Sequence, residues 1–438
     1  MWKHWTCDKK FTTIGRSGHF CYTDNNNNFV VEGGLTNNND FEYDVENDSL
    51  PENSRLSPAV CLVKGVLFLF GGSGKSQPEE KNVISDKTLF KRADRDEKWK
   101  ELECKGENKP AARYGASLSA SECGSFLILF GGTDGTGYFR DVWKLQLQED
   151  FDNDDADDRL EVLEWRELTK PEHRDTIRFY QMRRNYPIPR YKHASFIKNE
   201  CLFVVGGGQW VDFSNTPFEN IRTAQADPLE DIHKFDFKQK TWKVVSTIPC
   251  PAKTTDEIDL VEGYPNNRLN MAWVVTSDNR FLYLVGGEQV RKTRINPGFS
   301  KRRPFNDIWR LDISTLTWKF VCYIPDDTTA DRNDKYSFIY NLYNYGPMNF
   351  GTWGLTYHSC CLSVSENYLY IFGGYRDYFH GKVDPVSRDR RSVLLKFCLN
   401  TSTLYEIAEN ILHKHDIYEN NNNIFILNDK YKNKQSLR

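Results

Sequence analysis

Phe126–Gly137 reads FLILFGGTDGTG: five apolar residues, then four glycines among the next seven. Glycines let backbone N–H groups approach an anion closely, so the stretch taken alone fits a phosphate-cradling loop. A nucleotide-binding loop of that kind needs G-x-x-x-x-G-K-[ST] leading into a helix. GGTDGTGYFRDVW has no Lys-Ser/Thr and runs on into strand-like sequence. A diglycine there better suits a sharp strand exit and close packing, where a Cβ would clash.

The pattern recurs along the chain. It returns as FVVEGG (Phe29–Gly34), LFLFGG (Leu67–Gly72), CLFVVGGG (Cys201–Gly208), FLYLVGG (Phe281–Gly287) and YLYIFGG (Tyr368–Gly374). Six copies of one supersecondary unit indicate a repeat architecture. Gly33, Gly34, Gly71, Gly72, Gly131, Gly132, Gly206, Gly207, Gly286, Gly287, Gly373 and Gly374 are therefore read as structural, turn and packing residues. Upstream of each diglycine lies a strand led by arginine: RSGHF from Arg16, RLSPAV from Arg55, RYGASL from Arg113, RYKHASF from Arg190 and RLNMAWV from Arg268. In the sixth copy, LTYHSCC, Leu355 replaces the Arg and His358 keeps the His place. Downstream come DVWKLQL from Asp141, DIHKFDF from Asp231, DIWRLDI from Asp307 and SVLLKFCL from Ser392. A fourth strand starts near Trp99, Trp165, Trp242 or Trp318. Four short strands in a meander describe a propeller blade.

These residues closely resemble the kelch repeat: an R-x-x-H lead-in, an apolar strand, Gly-Gly, an aromatic strand, then Trp. The resemblance covers roughly residues 1–410 and implies an all-β, six-bladed kelch β-propeller with four-stranded antiparallel blades. Radial stacking agrees with the physics, since it buries both faces of each sheet and leaves only short edges. Two features depart from the pattern. Successive diglycines are 38, 60, 75, 80 and 87 residues apart, against about 50 for an ordinary unit. The first unit offers only FEYDV after Gly34, with no Trp before Arg55.

Ring closure has three readings. TSTLYEI (Thr401–Ile407) aligns with STLTWKF (Ser314–Phe320) and would serve as the last outer strand. The same segment has helical spacing at Leu404, Ile407, Ala408, Ile411, Leu412 and His415, with Thr403-x-x-Glu406 as a capping box. In that case the missing strand comes from the N-terminus, where Trp5 precedes Arg16 much as Trp99 precedes Arg113. N-terminal closure is the favoured reading. A seventh, irregular blade using NIFILN (Asn423–Asn428) is the third, and residues 411–438 are otherwise expected to be a tail, partly disordered or packed on the propeller.

Naming the strands a to d from the axis outward, strand direction puts the b–c and d–a connections on one face. There lie Thr169–Pro189, Gly208–Glu230, Ser246–Asn267, Glu288–Pro304, Ile324–Thr352 and Tyr375–Arg391. The opposite face keeps tight turns apart from the acidic Glu149–Asp158. Long loops on a rigid scaffold are where binding residues gather, and arginine and aromatic residues are enriched at interface hot spots. The expected partner-binding residues are Arg183, Arg184, Trp210, Arg291, Arg294, Arg302, Arg303, Tyr343, Tyr345, Trp353, Arg388 and Arg391. For any single Arg, solvation or pairing with nearby acids such as Asp256–Glu262 is the plainer reading.

Composition narrows the function. The 438 residues carry a net charge of -3, which argues against nucleic acid as the partner. No run of about 18 apolar residues occurs, and MWKHWTCDKK has no apolar signal core. The expectation is a cytoplasmic location, a nuclear one also being open. Eleven cysteines without a C-x-x-C pair read as thiols in a reducing compartment. His413 and His415 form only an H-x-H, too little for a zinc site. Asp377, Tyr378 and His380 have no recognisable metal spacing, so neither a metal nor any other cofactor is expected.

The reading is a non-catalytic module binding a protein or peptide at the loop-rich face, as scaffold or adaptor. What the family resemblance implies as alternatives is a substrate receptor of a cullin-type ubiquitin ligase recognising a peptide degron, or a metal-dependent enzyme on the same scaffold. Oligomeric state is left open.

Overall fold

The structure, a computed structural model, describes residues 2–5, 16–24, 27–36, 55–75, 83–85, 89–92, 98–102, 104–149, 160–169, 185–209, 229–250, 263–292, 300–324, 355–376, 389–390 and 394–399. Among them there is no α-helix, and the strands form five four-stranded antiparallel sheets with a few smaller ones. The sheets stand radially as blades of a β-propeller.

Blade 2 comprises Ala59–Val63, Val66–Phe70, Leu89–Arg92 and Lys100–Leu102. Blade 3 comprises Ser117–Ala120, Phe126–Phe130, Val142–Glu149 and Leu160–Glu167. Blade 4 follows with Ala194–Lys198, Cys201–Val205, Asp231–Asp236 and Thr241–Ser246. Blade 5 uses Ala272–Val275, Phe281–Val285, Asp307–Asp312 and Thr317–Tyr323. Blade 6 takes Ser359–Leu362, Tyr368–Phe372 and Leu394–Cys398 from one end of the chain. Its outermost strand is Trp2–Trp5, antiparallel to Leu394–Cys398 with Trp2 opposite Phe397 and Trp5 opposite Leu394.

The second strand of each blade is covered by sheet neighbours and by both adjacent blades, so it reads as a continuous apolar run rather than an alternating one. Phe126–Phe130 and Cys201–Val205 are buried at every position. Outer strands have only one covered face, and Thr241–Ser246 buries Trp242 between exposed Thr241 and Lys243. These outer tryptophans reach back to the preceding blade. The Trp165 ring centroid lies 5.5 Å from that of Phe70, and Trp242 lies 5.3 Å from Phe130. Trp318 donates its indole N–H to the Leu229 carbonyl at 3.0 Å and the Thr247 hydroxyl at 3.1 Å. Each such ring fills the wedge between two radially splayed sheets, and burying one side chain of this size contributes about 1.5–3 kcal/mol.

The first blade is described in part. Its described part is the pair Phe20–Thr23 and Phe29–Glu32, a two-stranded sheet. FEYDV, the stretch the sequence offers for the rest of this blade, falls outside the described residues. A polar clasp holds this small blade to blade 2. Tyr22 donates to the Glu32 carboxylate at 2.9 Å, Trp99 donates to it at 3.3 Å, and Arg92 bonds both Tyr22 and Glu32.

The ring is closed by one bond repeated at every step. The second glycine of each pair donates its N–H to the carbonyl that opens the next unit: Gly34 to Arg55, Gly72 to Arg113, Gly132 to Arg190, Gly207 to Arg268, Gly287 to Leu355 and Gly374 to Arg16, at 2.7–3.0 Å. The last of these joins blade 6 to blade 1. Residues 411–438 and the segment Thr401–Ile407 lie outside the described residues.

Candidate functional site

The glycine-rich stretch of blade 3 is a self-satisfied corner. Gly131 and Gly132 have φ of +66° and +97°, which the left-handed region allows glycine at no steric cost. A Cβ on Gly131 would sit 2.6 Å from the Arg190 carbonyl. The turn that follows aims its amides at its own carboxylate: Asp134 Oδ1 accepts from Thr136 N at 2.8 Å and Gly137 N at 2.7 Å. Partial burial alone would raise the Asp134 pKa, but these N–H donors outweigh it and hold the carboxyl below its usual value. The donors a phosphate would need are already used.

At the channel mouth on the b–c/d–a side, the arginine that opens each unit lies buried and caps the corner of its own blade. Arg55, Arg113, Arg190 and Arg268 donate to the carbonyls of Gly71, Gly131, Gly206 and Gly286 at 2.7–3.0 Å, and Arg16 to Gly33 at 3.3 Å. In blades 3 and 5 the charge is matched. Arg113 forms a two-pronged pair with Asp141 at 2.6 and 2.8 Å, and Trp143 donates to the same carboxylate at 2.7 Å. Arg268 and Asp307 repeat this, the second prong at 3.0 Å and Trp309 donating at 2.8 Å. Phe139 and Phe305 lie under the two guanidiniums at 4.0 and 4.2 Å.

Blade 4 lacks this lock. Asp231 occupies the aspartate position but faces solvent and accepts from Ser246 at 2.7 Å. His233 stands where the other blades place Trp143 and Trp309. Arg190 keeps only carbonyl partners, Ile188 and Gly206, and has no carboxylate partner among the described residues. Loss of solvent lowers its pKa to about 10. The same burial, with the Arg190 charge second, pushes both His193 and His233 down to about 3, so both are neutral.

Two residues after each opening position the backbone turns left-handed all the way round: Gly18, Ser57, Gly115, Lys192, Asn270 and Tyr357 have φ between +53° and +67°. Amide-to-carbonyl bonds of 2.7–3.0 Å link most of them into an inner ring: Gly18 to Tyr357, Ser57 to Gly18, Gly115 to Ser57, Lys192 to Gly115 and Tyr357 to Asn270. The Lys192 ammonium reaches to 5.7 Å from the Tyr357 ring centroid. Blades 4 and 6 are separated by blade 5, so this contact passes the inner edge of blade 5. Burial lowers Lys192 to about 8. His19 and His358, both held near 3 mainly by burial, feel its charge. Lys192 has no carboxylate partner among the described residues. Arg190 and Lys192 thus place two cations in this part of the ring with no carboxylate partner among the described residues. Sequence reasoning passed over Lys192; the available signal was its register with Gly18 and Gly115.

Of the expected partner-binding residues, three have a described backbone. Arg291 lies in Glu288–Lys292, and Arg302 and Arg303 lie in Ser300–Pro304, the two strands pairing Arg291 with Lys301, Val290 with Arg302 and Gln289 with Arg303. Arg183, Arg184, Trp210, Arg294, Tyr343, Tyr345, Trp353, Arg388 and Arg391 lie outside the described residues. Among the described residues, no three His, Cys, Asp or Glu side chains cluster as a metal site, and no helix is long and apolar enough to cross a membrane.

Comparison with known proteins adds the lineage. The KLHDC2/KLHL20/DRC7 Kelch-repeats domain matches residues 57–333, more than half of the chain. The chain belongs to the kelch-repeat family. Kelch domain-containing protein 10 of Xenopus tropicalis is 25% identical over 339 residues, 71% of this chain and 66% of that protein. The human Kelch domain-containing protein 10 is 24% identical over 340 residues, 71% of this chain and 61% of its own length. An F-box/kelch-repeat protein of Arabidopsis thaliana is 23% identical over 375 residues, 76% of this chain and 68% of that protein. The chain thus spans a little under two thirds of the Kelch domain-containing protein 10 relatives. Kelch propellers generally act as non-catalytic protein-interaction modules, and family membership points this chain to that class.

Proposed function

We propose that this kelch propeller binds a protein or peptide at the rim where the b–c and d–a connections emerge. The observation that carries the reading is charge at the channel mouth: Arg190 and Lys192 have no carboxylate partner among the described residues, whereas Arg113 and Arg268 do. The hairpin bearing Arg291, Arg302 and Arg303 is the b–c connection of blade 5 and belongs to the same rim. A desolvated cation with no carboxylate partner among the described residues favours a partner's carboxylate groups, and arginine is well suited to hold them. The aromatic candidates Trp210, Tyr343, Tyr345 and Trp353 would supply apolar anchoring beside that charge.

The other rim supports the contrast. Its turns are closed on themselves, as at Ser121, whose hydroxyl accepts from the amides of Ser125 and Phe126 at 2.9 and 3.1 Å. Chemical cross-linking of the full chain with a captured partner, read by mass spectrometry, tests the assignment. Cross-links should fall between Thr169 and Pro189, Gly208 and Glu230, or Glu288 and Pro304. Cross-links confined to turns such as Ser121–Ser125 or Asp312–Thr317 would overturn it.

A further inference from the structure

Ring closure sets the innermost strand of the last blade, Ser359–Leu362, beside the innermost strand of the first, Phe20–Thr23. Two bonds fix their alignment. Gly18 N donates to the Tyr357 carbonyl at 2.9 Å, and the Thr23 hydroxyl donates to the Leu362 carbonyl at 2.8 Å. Between these anchors lie Cys21 and Cys361, both free thiols, the first half-buried and the second buried.

The step from blade 3 to blade 4 shows how close such a pair stands. Ser119 is six residues after Arg113, Ser195 is five after Arg190, and their hydroxyls are 2.6 Å apart. Cys361 is six residues after Leu355 and Cys21 is five after Arg16, the same two positions at the closing step. From that spacing a small approach of the strands reaches the Cβ–Cβ distance of about 3.5–4.5 Å that a disulfide needs. Burial first, then the neighbouring Cys21, raises the Cys361 thiol well above its usual value, as expected for two sulfurs in contact.

The location gives the pair a purpose. Apolar clusters fill the interfaces between blades 1 and 2, 2 and 3, 3 and 4, 4 and 5, and 5 and 6. Between blades 6 and 1 the described ring contacts are Phe29 against Tyr370 and Phe372, and His19 against Phe372. We propose that Cys21 and Cys361 are a peroxide-responsive thiol pair whose oxidation to a disulfide closes the propeller covalently between its last and first blades. The half-buried Cys21 meets the oxidant. Its sulfur takes one oxygen from hydrogen peroxide, giving a sulfenic acid and releasing one water. The Cys361 sulfur then displaces the sulfenic hydroxyl, forming the S–S bond, and its proton leaves with that hydroxyl as a second water. Because Cys361 is raised, the second step quickens with rising pH.

Serine occupies both equivalent positions in blades 3 and 4, so Cys21→Ser and Cys361→Ser are compatible with the fold. The full-length protein is treated with hydrogen peroxide, alkylated, digested without reduction and analysed by mass spectrometry. A peptide linking Cys21 to Cys361 should appear in the wild type and in Cys360→Ser, and vanish in Cys21→Ser and Cys361→Ser. The thermal midpoint should rise by a few degrees on oxidation and fall back with dithiothreitol in the first two proteins only. A link through Cys360, an intermolecular link, conversion of Cys21 to sulfinic acid without a link, or a link that leaves the midpoint unmoved would each overturn the proposal.

Discussion

Blades 5 and 4 carry the same opening arginine and the same third-strand aspartate, and use them in opposite ways. In blade 5, Arg268 grips Asp307 with two prongs, and Trp309 holds the carboxylate from the other side. In blade 4, His233 replaces that tryptophan, Asp231 turns to Ser246, and Arg190 keeps only backbone partners among the described residues. A repeat residue's identity does not settle its role; the indole two residues along decides whether the aspartate is held inward. Arg268 is thereby neutralised internally, whereas Arg190 has no carboxylate partner among the described residues.

The largest expected effect breaks the blade 5 lock. Asp307→Ala leaves Arg268 buried without a counter-charge and should cost about 3–5 kcal/mol in urea unfolding. Asp231→Ala removes only an exposed hydrogen bond and should stay within about 0.5 kcal/mol. Equal losses would end the distinction between the blades.

Next in size is the corner itself. Gly131→Ala combines a positive φ with a Cβ 2.6 Å from the Arg190 carbonyl, and should cost more than about 2 kcal/mol. Gly135→Ala, four residues on, has φ of +90° with nothing within 4 Å of the added Cβ. It should cost about 1 kcal/mol, from the backbone conformation alone. The pair separates steric from conformational need within one loop.

Acid should weigh most on blade 4, which holds two of the four histidines lowered to about 3. His193 and His233 are held near 3 in the folded chain, below the ordinary 6.5 of the unfolded one. Between those values the unfolded state binds more protons, so their contribution is full above pH 6.5 and shrinks as pH falls toward 3. Each such histidine should remove about 1.4 kcal/mol by pH 5.5. Blade 5 uses Met271 at the position of His193, and His193→Met should flatten the midpoint-against-pH curve between pH 6.5 and 5. His19 and His358 remain and keep part of the slope.

The glycine corners and opening arginines were legible in the sequence because each demands one residue type, repeated. The first blade's shortness was also visible, in the absence of a Trp before Arg55. Leu89–Arg92 escaped notice as a strand because LFKR reads half polar, yet Lys91 and Arg92 are buried, the latter against Glu32 and Tyr22. A pattern that assigns charge to the surface misses a strand whose charge is paired inside. Lys192 was hidden for a different reason: its contact with Tyr357 follows from the ring, which brings blade 6 within reach of blade 4 past the inner edge of blade 5. The Arg113–Asp141 and Arg268–Asp307 locks likewise need the meander to bring residues 28 and 39 positions apart together.

The central claim is that the corners are architecture and the rim is where a partner binds. Capture of partners from cell extract with the wild type and with Arg302→Glu/Arg303→Glu, two proteins matched for thermal midpoint, tests it most directly. The account predicts at least tenfold lower recovery with the reversed hairpin, about 1.4 kcal/mol or more of lost binding. Equal recovery of the same partners would contradict it.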